Sequence, residues 1–562
     1  MKNSLNAKML AVVIGLAAYA PAALAAGLPP TSTEPGMLNK GLTEQPHALS
    51  RLDETVTLPK EEQGKGLSTK KVFVLTNVTL DGSTVYRDAD LKPLYKDFVG
   101  KEVSFADLND IAQRVTRKYR EDGYIFSRAI LPPQKIGGGI VHLEAIEGKI
   151  ANVQLIGNFT DKSGLIHRMA EKIRTSGAAN TKEIERYLLL IDDLPGITAK
   201  SFVKPSETKG GGDLVIDVEE TRYEGSASFD NRGSRYLGPY RGTLVGAVND
   251  LLGLHDRTTI RGIMTTQVDE MKFADITHEE QIGPDGLKVK GRFAITSANP
   301  DVPASPEIDG DSTLWDLEAD YPVLRSRKYN FNLVSGFDSL DSTTDLAGLR
   351  IAEDRVRSVR VGTTFDFTDP FRGVNQFEIL AYQGLDVFDA TNNSNVPARS
   401  RANGDQTFLK ATATGTRIQE LPDLFSLMLS ASGQASRDPL LASEEFTVGG
   451  PTYGRAYDSG EITGDSGWSG VAELRYGGPV QTNWLQSYQF YTSIDYGKVH
   501  NKGTLAPGEL AQDSLTSAGL GLRFNVVHDW TGYAELDKPL NHKVASEGDE
   551  DSRFFFSLLK RF

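Results

Sequence analysis

The sequence predicts a transmembrane β-barrel of about 16 antiparallel strands, preceded by two small α+β domains. Three observations predict it. After about Thr221 helical spacing vanishes, and segments of roughly ten residues alternate apolar with polar, as strands do with one face in lipid and one in water. Ahead of that point a helix-containing pattern occurs twice in tandem, each copy with a triple-glycine turn before its last strand. The chain closes on Arg553-Phe-Phe-Phe-Ser-Leu-Leu-Lys-Arg-Phe562, an aromatic strand-like run suited to completing a cylinder rather than fraying.

The first residues read as a secretory signal over 1–25. Lys2 and Lys8 form the basic region, Met9 to Ala18 the apolar core and Ala23-Leu24-Ala25 the cleavage site, so the mature chain is expected to begin near Ala26. No later stretch approaches about 18 uninterrupted apolar residues, so the protein is expected to leave the cytoplasm without a transmembrane helix. Residues 26–70 are polar and rich in Pro, Gly, Thr and Ser. Within them Met37 to Leu52 reads either as disordered linker or as a short amphipathic helix with Leu38, Leu42 and Leu49 on one side, a possible plug. Pro46 and His47 weigh against the helix.

Residues 71–149 make the first domain. Val72 to Leu75 reads as a strand, and Ser104 as a helix N-cap with Asp107 completing a capping-box-like pair. Leu108, Ile111, Ala112, Val115 and Tyr119 then recur at helical spacing, and Gly123 ends that helix. Phe126 to Leu131 and Ile140 to Ile146 read as strands either side of Gly137-Gly-Gly139. With a short helix before Ser104 the order is β-α-α-β-β. Residues 150–220 repeat it: a strand at Val153 to Ile156, helices at Lys162 to Ile173 and Lys182 to Ile191, and strands at Ala199 to Val203 and Asp213 to Val218 around Gly210-Gly-Gly212.

Residues 221–562 make the barrel. Leu287, Val289, Phe293 and Ile295 alternate with Lys288, Lys290 and Arg292; Val359, Val361, Phe365 and Phe367 alternate with Arg360, Thr364 and Asp366. At about 20 residues per strand and loop the segment holds about 16 strands, an even number as bacterial barrels require. A soluble β-sandwich also alternates, but it accounts for neither the export signal nor the terminal phenylalanine.

Composition narrows the function. With no cysteine, disulfide frameworks, thiolate metal sites and cysteine nucleophiles are excluded. A net charge of −14 argues against a nucleic-acid partner. There is no phosphate-binding loop, the eight histidines lack ligand spacing, and no Gly-x-Ser-x-Gly elbow is present, so no ATP, metal, cofactor or enzymatic activity is expected.

Several stretches carry a family resemblance. Glu147-Gly-Lys-Ile150 leading to Gly157-Asn158, Phe229-Asp-Asn-Arg-Gly233, and Asn249-Asp-Leu-Leu-Gly253 followed by Asp256 resemble, in turn, the domain junction, first-strand end and second-strand end of the two-partner secretion transporters. This is the TpsB family of ShlB, FhaC and HecB type, in the BamA-like superfamily. The two α+β units look like periplasmic POTRA domains. Phe446-Thr-Val-Gly-Gly450 through Gly454-Arg-Ala-Tyr457 resembles the loop that folds back into the family's barrel with a Val-Arg-Gly-Tyr/Phe tip. Arg455 and Tyr457 match, and Gly454 and Ala456 depart. Ser493-Ile-Asp-Tyr-Gly497 resembles the wall motif that receives the tip; Asp495 and Gly497 match, and Ser493 departs.

An arginine fork can meet a carboxylate with two hydrogen bonds, so Arg455 and Asp495 are expected to lock the loop to the wall. In an open aqueous lumen such a pair is worth about 0–1 kcal/mol, and residue type alone leaves both as ordinary lumen charges. The resemblance favours the lock. It also implies an outer-membrane transporter that binds an unfolded TpsA-type exoprotein, haemolysin- or adhesin-like, through its POTRA domains and exports it through the pore without ATP. Expected partners are that exoprotein, outer-membrane lipid, and the barrel assembly machinery through Phe562 as C-terminal signal. The competing readings are a BamA-like assembly factor, which usually carries more POTRA domains, and a passive porin, which needs none.

Overall fold

The computed structural model describes residues 33–43, 68–208, 210–303, 305–392, 398–480, 482–505 and 509–562. The expected signal sequence, and the part of the candidate helix with Pro46, His47 and Leu49, lie outside the described residues. A helix does form at Pro35–Thr43.

The first α+β unit contains β1 (Lys71–Val74), β2 (Asn77–Asp81), the helices Asp88–Tyr95 and Phe105–Glu121, and β3 (Glu102–Ser104), β4 (Arg128–Ile130) and β5 (Ile140–Ile146). Its sheet runs β2-β5-β4, with β2 parallel and β4 antiparallel to the central strand. The strand expected at Val72 forms, but it pairs with β3 outside that sheet. Val72 and Val74 face solvent, whereas Val78 and Leu80 of β2 enter the core, which makes β2 the true first strand of the sheet. The capping box is present: Ser104 Oγ accepts from the Asp107 amide at 3.2 Å, and Asp107 Oδ2 accepts from the Ser104 amide at 2.6 Å. The predicted stripe from Leu108 to Tyr119 is buried against the sheet.

The second unit repeats this plan with β6 (Lys149–Asn158), the helices Leu165–Thr175 and Thr181–Asp192, β7 (Ile197–Pro205) and β8 (Gly211–Glu220), its sheet running β6-β8-β7. It is docked on the strand turns of the barrel that follows. Arg325 makes two hydrogen bonds of 2.7 Å to the Asp193 carboxylate, and Arg186 Nη2 donates to the Pro322 carbonyl at 2.8 Å. The Asp161 carboxylate, its side chain shielded from solvent, meets the ring of buried His255 at 3.0 Å, across the two parts of the chain. Burial works against ionisation of Asp161, but hydrogen bonds from His255 and His167 outweigh it and hold the carboxyl well below its usual range. Asp161→Ala leaves His255 buried without that acceptor, at a cost of about 1–3 kcal/mol. It is expected to speed hydrogen exchange around residues 161–167 and 250–256, and unchanged exchange there would show that the contact does not hold the joint.

The barrel strands are β9 (Tyr223–Asp230), β10 (Arg241–Asn249), β11 (Arg257–Thr265), β12 (Met271–Ile282), β13 (Leu287–Ala298), β14 (Ile308–Arg325), β15 (Tyr329–Leu346), β16 (Leu349–Thr368), β17 (Gly373–Gly384), β18 (Leu409–Glu420) and β19 (Phe425–Ser436). A short hairpin follows, β20 (Phe446–Val448) with β21 (Ile462–Gly464). The cylinder then continues through β22 (Ser466–Pro479), β23 (Leu485–His500), β24 (Gln512–Val526), β25 (Trp530–Pro539) and β26 (Arg553–Arg561), which pairs with β9. This closed barrel has 16 antiparallel strands. Alternation explains why these segments are strands: Leu244, Ile260, Ile295, Val361, Ile494 and Leu520 face outward, where lipid takes the place of a core.

Candidate functional site

The segment between β19 and β22 returns into the lumen, with the β20–β21 hairpin lying along the inner wall. Its tip turns at Gly454, whose φ of +76° is a conformation that favours glycine. Ala456 has no positive φ, so alanine at this departure from the motif is not strained. The positive φ of the tip therefore sits one residue before the arginine.

Arg455 is held more firmly than a lumen pair. Its side chain is 6 % exposed, and its Nη1 donates to Glu473 Oε2 at 2.5 Å. Asp495, 1 % exposed, stands 3.9 Å from Arg455 Nε and accepts instead from the Arg455 backbone amide at 3.3 Å. The expected fork on Asp495 is therefore replaced by a division of labour. Glu473 takes the charge, and Asp495 takes the main chain, with Ser517 Oγ donating to the same carboxylate oxygen at 3.0 Å.

Glu473 was not legible as a site residue. Its carboxylate also accepts from Arg475 Nε at 2.5 Å and from Arg523 at 2.7 and 2.9 Å, so three guanidinium groups converge on one acid. Arg523 stacks 3.8 Å over the Tyr491 ring. The available signal was Glu473-Leu-Arg475, two opposite charges two residues apart and hence on one strand face.

The remaining expected residues are also at the loop. Tyr457 is buried, and its hydroxyl donates to the Thr516 carbonyl at 2.9 Å. Gly497 lies under the hairpin: a Cβ there would stand 2.3 Å from Val448 Cγ1. Gly497→Val is thus expected to push the hairpin off the wall and abolish export from a barrel that still closes. The check is secretion beside heat-modifiable migration on gels; full secretion by the variant would remove Gly497 from the site.

Phe562 lies apart from this cluster. Its amide donates to the Gly225 carbonyl at 2.9 Å, and its ring is exposed.

The helix Pro35–Thr43 packs inside the barrel against β13, β14 and β15, with Leu38 and Leu42 on a buried apolar cluster that includes Leu440 and Leu441. Asn39 Nδ2 donates to Ser312 Oγ at 3.0 Å, and Ser342 Oγ donates to Glu34 at 2.5 Å. Lys40 forms an ion pair with Glu444, at the root of the inward loop, and Lys410 of β18 reaches the same buried carboxylate at 2.9 Å. Among the described residues no group of His, Cys, Asp or Glu is arranged to hold a metal.

Comparison with known proteins agrees with this architecture. Residues 293–524 match the family "Haemolysin secretion/activation protein ShlB/FhaC/HecB", and residues 73–148 match "POTRA domain, ShlB-type". The chain is 24 % identical over 502 residues to the heme/hemopexin transporter protein HuxB of Haemophilus influenzae (strain 86-028NP), covering 87 % of each. It is 23 % identical over 533 residues to the outer membrane transporter CdiB of Dickeya dadantii (strain 3937), covering 91 % of this chain and 90 % of the relative. Among solved structures, CdiB from Escherichia coli shares the fold with a TM-score of 0.76 at 18 % identity, covering 94 % of this chain and 96 % of that one. Sixteen strands, two POTRA-like sheets and an inward loop thus meet two profiles of one family. The chain belongs to the two-partner secretion transporters of TpsB type, non-enzymatic outer-membrane barrels with periplasmic POTRA domains that transport partner exoproteins.

Proposed function

We propose that this chain receives an unfolded exoprotein of haemolysin or adhesin type on its two POTRA domains and passes it through the barrel to the cell surface without ATP. The observation that carries this reading is the lumen itself. A helix and a loop fill it, and side chains hold both there with no covalent tie. Each can leave and return. On this reading the helix Pro35–Thr43 is a plug, and the loop carrying Arg455 and Tyr457, seated on Asp495 and Gly497, is a gate. The open edges of β4 and β7 offer main-chain groups to an extended segment, which adds as a further strand. Folding of the partner outside supplies direction. The C-terminal strand ending at Phe562 serves recognition by the barrel assembly machinery.

The test is to look for a gene for a large exoprotein beside this one and to co-express the two in a host lacking such systems. The exoprotein is expected in the medium only when the transporter is present. Retention in the periplasm, together with improved assembly of other outer-membrane barrels, would instead assign the chain to barrel assembly.

A further inference from the structure

The inward loop is held on its main chain as well as through Arg455, and the groups that hold it come from the two sides of the barrel seam. Arg232 lies just past the end of β9, the first strand. Its Nη1 donates to the Arg455 carbonyl at 2.7 Å. Arg553 opens β26, the last strand. Its Nη1 donates to the next carbonyl, Ala456, at 2.9 Å, and its Nη2 to Asp458 Oδ1 at 2.7 Å. Both arginines are buried, and both flank the ring of Phe555, Arg232 at 3.8 Å and Arg553 at 5.0 Å from its centroid. Arg232 is anchored in turn by an ion pair to Glu535 of β25, with Asp537 at 3.6 Å.

The seam beneath this arrangement is short. β26 pairs with β9 only from Ser557 opposite Asp230 to Arg561 opposite Ser226, whereas on its other side it pairs with β25 from Arg553 to Lys560. Above Ser557 the ladder gives way to Asn231 alone: its amide reaches the Phe556 carbonyl at 3.4 Å, and its side chain donates to the Phe554 carbonyl at 2.8 Å and accepts from the Phe556 amide at 2.7 Å. The upper part of β26 therefore has a full ladder on one flank only. Two adjacent carbonyls of the loop lie across that gap, one bound from each side.

We propose that Arg232 and Arg553 are positioning residues that make the loop a strap across the β9–β26 seam, so that seating of the loop and closure of the upper seam are one event. This rests on the reading of the loop as a gate, and adds that the gate and the seam are coupled. The charge-assisted bonds to the carbonyls are the kind worth most when dehydrated, and both are buried here. Removing either arginine leaves a buried carbonyl without its donor and frees one side of the strap. Removing the Arg455 side chain frees the strap from Glu473 on β22, four strands from β26 along the barrel wall.

The natural chain has no cysteine, so a seam reporter is clean. Ser228→Cys with Leu559→Cys places two thiols at facing positions of the β9–β26 ladder. With copper–phenanthroline as oxidant, the pair is expected to cross-link rapidly in outer membranes. Adding Arg232→Gln or Arg553→Gln is expected to slow cross-linking at least several-fold and to lower secretion, with Arg553→Lys partly restoring both. Adding Arg455→Ala is expected to slow the seam cross-link as well, which a purely local role for the two seam arginines does not predict. Wild-type cross-linking in Arg455→Ala, or in both glutamine variants, overturns the coupling. If a glutamine variant does not reach the heat-modifiable folded form, Arg455→Ala alone decides. Cross-linking needs no exoprotein, so a failure of the export reading registers separately, as absent secretion by the wild-type chain.

Discussion

Glu473→Ala is expected to abolish export and to lower barrel stability, whereas Arg455→Ala abolishes export from a barrel that remains assembled. The difference follows from what each residue leaves behind. Without Glu473, whose side chain is 0 % exposed, the guanidinium groups of Arg455, Arg475 and Arg523 face one another with no acid between them. Breaking a buried ionic cluster by removing its counter-charge costs about 3–5 kcal/mol, far more than the pair is worth relative to a well-packed apolar replacement. Without Arg455, Glu473 keeps Arg475 and Arg523, and the wall stays neutralised. Asp495→Ala occupies the middle. It removes the acceptor of one loop amide and of Ser517, a loss of about 1–3 kcal/mol, so export is expected to fall without vanishing. Secretion and heat-modifiable migration, measured side by side, rank the three variants. Glu473→Ala secreting at the wild-type level would show that the cluster does not hold the gate.

The architecture was readable because lipid imposes a simple code. A strand with one face in hydrocarbon must alternate, and Leu244, Ile295, Val361 and Leu520 do so. The tandem α+β units were readable for a similar reason, since one helical stripe such as Leu108 to Tyr119 has to face one sheet. β2 was missed because Asn77-Val-Thr-Leu-Asp81 offers only two apolar residues, while the neighbouring Val72 to Leu75 is wholly apolar although Val72 and Val74 are exposed. Inside the lumen the code fails. A polar inner face is expected everywhere, so Glu473, Arg232 and Arg553 look like any other lumen charges until the fold brings them to Arg455. Arg455 and Asp495 were visible only through family resemblance, and even then their geometry was expected to be a fork rather than a shared grip.

Removing the lumen helix is expected to produce the largest change in pore behaviour. Pro35–Thr43 has nine residues, too few for a stable helix in water, so tertiary contacts must supply its order. Those contacts are unequal. Leu38 and Leu42 bury apolar surface, Asn39 and Glu34 hydrogen-bond to Ser312 and Ser342, and Lys40 reaches Glu444. Lys40→Ala leaves Glu444 with Lys410 and is expected to raise the open fraction only modestly. Glu444→Ala removes the carboxylate that Lys40 and Lys410 share and with it the side-chain link between the helix and the loop root, so helix and loop should loosen together. Deleting residues 33–43 is expected to raise conductance across a planar bilayer severalfold, with Glu444→Ala giving frequent openings of similar size. A deletion variant that conducts like the full chain would show that the pore is closed elsewhere. The arginine cluster around the loop is then the remaining barrier, and the Arg455→Ala variant the one that should conduct.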